Sequence, residues 1–96
     1  MSIADKTKTW TFLTNHAQVL LCLAHTPEIR LRDVAERVGI TERATQRILA
    51  DLVEAGYVKT ERVGRRNTYT VDRRHAMRHS AQVGHEIGAL LGALTD

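Results

Sequence analysis

Residues 30–71 read RLRDVAERVGITERATQRILADLVEAGYVKTERVGRRNTYTV, and the order of signals in this stretch decides the fold. Leu31, Val34, Ala35 and Val38 recur at i, i+3, i+4 and i+7, which places them on one face of a helix. The spacing predicts a short helix over Arg32–Val38. Gly39 ends it, because a glycine accepts the left-handed conformation that closes many helices. Ile40 and Thr41 make the turn. The Thr41 hydroxyl can cap the next helix and Glu42 complements the positive end of its dipole. That second helix is expected over Glu42–Ala55. Ile48, Leu49, Leu52 and Val53 bury its later half, while Glu42, Arg43, Gln46 and Arg47 stay outside in its early half. Thr45 faces inward, and Gly56 supplies a second glycine stop. The helix–turn–helix therefore spans residues 32–55.

The chain then changes period. Tyr57 to Arg62 is rich in strand formers, Val63-Gly64-Arg65-Arg66-Asn67 has turn chemistry, and Thr68 to Val71 alternates as a returning strand. Residues 57–71 are thus expected to form a hairpin whose tip is Arg65-Arg66-Asn67, flanked by Arg62. From Arg62 to His79 there are six arginines and one acid, Asp72. A helix held against a preceding helix fits the major groove of duplex DNA. A basic hairpin beside it reaches phosphates or a narrow minor groove.

These shapes assign roles to residues. Thr41 can offer its hydroxyl to a phosphate. Arg43 or Arg47 can bond guanine with two hydrogen bonds, and Gln46 suits adenine. Arg62, Arg65, Arg66 and Asn67 form the expected wing contacts. Arg73, Arg74 and Arg78 add phosphate-binding charge, which makes affinity salt-dependent. The plainer reading of each arginine is a solvated surface residue.

Outside this stretch two apolar helices are expected. The first covers residues 9–25. Leu13, Ala17, Leu20, Leu21 and Ala24 line one side, and Trp10, Phe12, Val19 and Leu23 widen its apolar surface. Ile29–Leu31 reads as a very short strand. The last helix covers 81–94, with Val83, Ile87, Leu90, Leu91 and Leu94 as its stripe and Gly84, Gly88 and Gly92 on a neighbouring face. Helices apolar on more than one side meet two partners. Trp10, Leu13, Val83, Ile87, Leu90, Leu91 and Leu94 are therefore the expected dimer interface. Two recognition helices would then enter successive major grooves about 10 base pairs apart.

Composition narrows the rest. Ninety-six residues make one domain, 1–96, and a 43% hydrophobic content suits a folded chain. The net charge of +3 and pI near 9.5 favour a polyanionic partner. Cys22 is the single cysteine, so neither an intrachain disulfide nor a cysteine-based zinc site is possible. Placed among leucines, it reads as a buried thiol. His75 and His79 would lie at i, i+4 in a helix and could share a metal only if His85 or another subunit supplied a third ligand, since none is evident nearby, so neither a metal nor another cofactor is assigned. Residues 1–8 are polar and lack a secretory signal pattern, and the apolar run from Trp10 to Ala24 is too interrupted for a membrane span. A cytoplasmic protein without a membrane partner is expected. No phosphate loop or nucleophile elbow is present, so an enzyme is not expected.

VAERVGITERATQRILADLVEAGYV and ERVGRRNTYTV together resemble winged helix–turn–helix transcriptional regulators near the MarR and ArsR families. The resemblance covers about half the chain. It implies a mainly α fold with a small β-hairpin wing, a three-helix core plus a C-terminal dimerisation helix. It further implies a homodimeric, sequence-specific regulator bound to double-stranded DNA, with the second helix of the motif in the major groove. The paired-cysteine metal box of the ArsR family is absent, so metal sensing does not carry over. Two other readings stay open: a winged helix that binds a protein partner, and a regulator that answers a ligand or metal.

Overall fold

The computed structural model describes residues 10–95. The polar segment 1–8 and the expected helical start at Thr9 lie outside these residues. Among the described residues four α-helices and one hairpin follow in the order α1 (Asn15–His25), α2 (Leu31–Val38), α3 (Glu42–Glu54), β1 (Val58–Val63), β2 (Arg66–Val71) and α4 (Ile87–Thr95). A 3-10 turn, Ser80–Gln82, precedes α4. This is a winged helix, mainly α with a small β wing.

The centre of the fold follows the local signals closely. Gly39 has φ 86°, and the Ile40 amide donates back to the Ala35 carbonyl over 3.0 Å. The Thr41 hydroxyl accepts from the Ala44 amide, so α3 begins at Glu42. At its other end the Gly56 amide donates to Val53 and the Tyr57 amide to Leu52, the paired bonds of a glycine-closed helix end. The core joins Val19, Leu20 and Leu23 of α1 to Val34 of α2 and Ile48 and Leu52 of α3. Tyr57, Val58 and Tyr69 at the base of the wing, with Ile87 and Leu91 of α4, close it.

The flanks depart from expectation. The first helix starts at Asn15 rather than at residue 9. Thr11 donates its hydroxyl to the Leu13 carbonyl, a local bond that competes with helix formation. Thr14 then acts as the cap, accepting from the Ala17 amide. Trp10 and Phe12 are consequently outside the helix and exposed, their rings edge to face at 5.0 Å. The expected strand at 29–31 is absent. Ile29 is a buried loop residue, and a single bond from the Tyr69 amide to the Pro27 carbonyl (2.9 Å) ties the wing to this loop.

The last helix starts at Ile87, not at residue 81. His79 caps the 3-10 turn through its ring nitrogen, and Gly84 (φ 88°) reverses the chain. Residues 73–77 then fold back on 85–88. Met77 donates to His85, Ile87 to His75 and Gly88 to Arg73. The first free amides of α4 are thus satisfied by carbonyls from a strap that begins just after the wing, which sets where this helix can begin.

Candidate nucleic-acid interface

Helix geometry sorts the side chains of α3 into two opposite faces. Thr45, Ile48 and Leu52 are buried. Arg43, Gln46, Arg47 and Ala50, three and four residues apart, share the reverse face, and all four are exposed. Thr45 is fully buried and donates its hydroxyl to the Thr41 carbonyl over 2.9 Å, so it is occupied within the turn. The Thr41 hydroxyl oxygen is used as an acceptor by the cap, which leaves its proton free to be donated outward. Among the described residues, neither Arg43 nor Arg47 has an ion-pair partner. A carboxamide and two guanidiniums on one uncommitted helical face can read base edges in a groove.

The wing is a two-residue hairpin. Val58 pairs with Val71, Thr60 with Tyr69, Arg62 with Asn67 and Val63 with Arg66. Gly64 (φ 65°) and Arg65 are therefore the tip, with glycine at the first central position, where a type II′ turn needs positive φ. The expected tip of Arg65-Arg66-Asn67 is corrected: Arg66 and Asn67 belong to β2. Cross-strand pairing sets Arg62 and Asn67 on one face and Arg66 on the other, with Arg65 at the apex. Arg62 also donates from Nε to the Gly64 carbonyl, bracing the turn.

The structure brings one further cation to the wing. Arg30, immediately before α2, lines a hollow of about 420 Å³ with Ile29, Arg65, Arg66, Asn67 and Tyr69. In the sequence Arg30 falls inside the short strand expected at 29–31 and is assigned no contact. Its proximity depends on the bond between Tyr69 and Pro27, a contact across 42 residues that local pattern does not carry.

The basic segment after the wing divides. Arg73 and Arg74 border an open hollow at the wing base with Lys59, Thr60 and Thr70. Arg78 lies elsewhere, beside His16 and Asp51. His75 and His79 do not form a helical pair: His75 packs edge-on against Tyr57 at 4.4 Å and His79 caps a turn. Among the described residues no three His, Cys, Asp or Glu side chains gather as metal ligands. The Cys22 thiol is pushed up from its ordinary pKa by burial, with Arg37 opposing in part, so the thiol form prevails at neutral pH. No helix among the described residues is long and apolar enough to cross a membrane.

The expected dimer residues also divide. Ile87 and Leu91 are buried in the chain's own core, and Leu90 and Leu13 are half-buried. Trp10, Val83 and Leu94 are exposed, at 65%, 79% and 51%. Ile87 and Leu91 thus spend their surface inside the monomer.

Helix, glycine turn, helix and basic hairpin in this order define a winged helix–turn–helix, a DNA-binding architecture of transcription regulators. The family profile described as the IclR helix-turn-helix domain matches residues 13–62, just over half of the chain. The chain belongs to this family. No curated protein sequence matches it. Among solved structures it is similar to a predicted DNA-binding transcriptional regulator from E. coli, with a TM-score of 0.57 at 19% identity, over 81% of this chain and 70% of that one. It is also similar to the zinc-dependent MarR family transcriptional regulator AdcR in its Zn(II)-bound state. There the TM-score is 0.50 at 20% identity, over 68% of this chain and 47% of that one. The MarR likeness expected from the sequence is thus one of fold, and the family match lies with IclR.

Proposed function

We propose that this chain is a sequence-specific, double-stranded DNA-binding regulator of transcription that acts as a homodimer. The carrying observation is the α3 face of Arg43, Gln46 and Arg47, opposite the buried Thr45, Ile48 and Leu52 and without ion-pair partners among the described residues. That face enters the major groove, where the arginines select guanine and Gln46 selects adenine. Thr41 donates to a flanking phosphate. The wing lies on the minor groove or its phosphates through Arg62, Arg65, Arg66 and Asn67, and Arg30 joins it from the start of α2. Arg73 and Arg74 extend the phosphate contacts. Membership in a family of regulator domains supports the reading, as does the regulator named in each similar structure.

Fluorescence anisotropy tests it. The duplex upstream of the protein's own gene is compared with a scrambled duplex of equal length across a salt series. Preference for the upstream duplex that persists near physiological salt is expected. Equal and steeply salt-sensitive binding to both would reduce the proposal to a basic surface. Gln46→Ala is expected to change which bases a selected site prefers. Uniform weakening over all sites would remove direct readout from that residue.

A further inference from the structure

The described residues hold a further concave site, away from the wing and from the outward face of α3. A hollow of about 390 Å³ opens between α1, the later part of α3 and α4. Its walls are apolar: Leu20, Leu52, Tyr57, Met77, Ile87 and Leu90. Three of the residues that line it carry a carboxylate, a guanidinium or an imidazole, namely Asp51, Arg78 and His16. His16 Nε2 and Asp51 Oδ2 lie 2.8 Å apart, which commits this oxygen of Asp51 to the imidazole. Arg78 has no ion-pair partner among the described residues. An open hollow of this size with apolar walls and a few converging polar groups is the form of a small-molecule site.

We infer that this hollow binds a small, largely apolar molecule carrying a carboxylate, with the apolar part against Leu20, Leu52 and Leu90 and the carboxylate on the Arg78 guanidinium. A guanidinium offers two parallel N–H donors to the two oxygens of a carboxylate, a match that a neutral polar group lacks. Asp51 Oδ2 is held by the imidazole, which leaves the Arg78 guanidinium as the uncommitted charged donor on the lining. The hollow joins the far end of α3 to α1 and α4, so an occupant touches the elements that hold the recognition helix in place. This inference concerns binding alone and stands whether or not the chain binds DNA.

Calorimetric titration with three probes of one shape decides it: 2-naphthoate, its neutral counterpart 2-naphthylmethanol and the cation 2-naphthylmethylamine. Saturable binding of the carboxylate is expected, roughly tenfold tighter than the alcohol, the usual order for a charge-assisted pair. The amine is expected to bind most weakly. Arg78→Gln should erase the gap between acid and alcohol while leaving the melting temperature unchanged, since Arg78 is exposed. Ala17→Leu, which fills the hollow from α1, should abolish binding of both. No saturable heat with any probe overturns the site. So does binding that survives Ala17→Leu, which would place the probe on another surface. Equal affinity for acid and amine, or an acid preference that survives Arg78→Gln, overturns the assignment of the charge.

Discussion

At Gly88 of α4 an added Cβ would come within 2.6 Å of the Arg73 carbonyl oxygen and 2.9 Å of the Arg73 Cβ. At Gly92, one turn on, it would meet nothing within 4 Å. Alanine gains about 1 kcal/mol over glycine in a helix interior. Overpacking against atoms that cannot swing aside costs about 1–3 kcal/mol. Gly88→Ala is therefore expected to destabilise the protein and Gly92→Ala to stabilise it. Urea unfolding midpoints should move in opposite directions, and movement in the same direction would defeat the account. In the sequence both glycines share one spacing and one helix face, a surface open to the close approach of another helix. What approaches Gly88 is instead the backbone of the 73–77 strap. That strap is placed by bonds such as the one from the Gly88 amide to Arg73, between residues 15 apart, and no periodicity encodes it.

Elements whose ends are set by neighbouring residues were legible, and those set by distant partners were not. Gly39, Thr41 and Gly56 bound α2 and α3 to within a residue of the expected limits because each acts on amides or carbonyls a few positions away. The start of α4 depends on carbonyls of Arg73 and His75, so its apolar stripe overran into Val83, which is exposed. The same locality makes α3 testable. Thr41→Asp keeps an oxygen that can accept the Ala44 amide, so stability should hold. It also turns a hydroxyl donor into a negative charge facing phosphate, so DNA affinity should fall. Thr41→Ala should lose about 1 kcal/mol of stability along with the cap. If Thr41→Asp binds DNA like the unaltered protein, Thr41 is only a cap. For the wing, Arg65→Ala with Arg66→Ala should weaken binding on every sequence. The slope of log affinity against log salt should shrink by about 1.8, or ~0.9 for each phosphate released. An unchanged slope would take the wing off the DNA.

The whole molecule poses the question of the second subunit. A single half-site holds few contacts, and a chain of 96 residues gains stability by sharing apolar surface. The interface read from the sequence cannot include Ile87 and Leu91, which α4 turns into the core. What remains fully outward of it is Trp10, which meets the exposed Phe12 edge to face ahead of α1, together with Val83 and Leu94 on either side of the buried turn of α4. An aromatic pair exposed at 65% and 92% is surface that a partner would cover with advantage. Sedimentation at micromolar concentration should give a dimer, and Leu94→Asp should shift it toward monomer. Because Leu94 is half exposed, the substitution should leave the fold intact by circular dichroism. On DNA it should lose affinity for a duplex with two half-sites about one helical turn apart. On a duplex with one half-site the variant and the unaltered protein should then bind alike, because each recognition helix is still presented. A variant that weakens on both duplexes would show that Leu94 supports α4 itself. An unaltered protein that sediments as a monomer and binds both duplexes equally would end the dimer proposal and leave a single winged helix reading one groove.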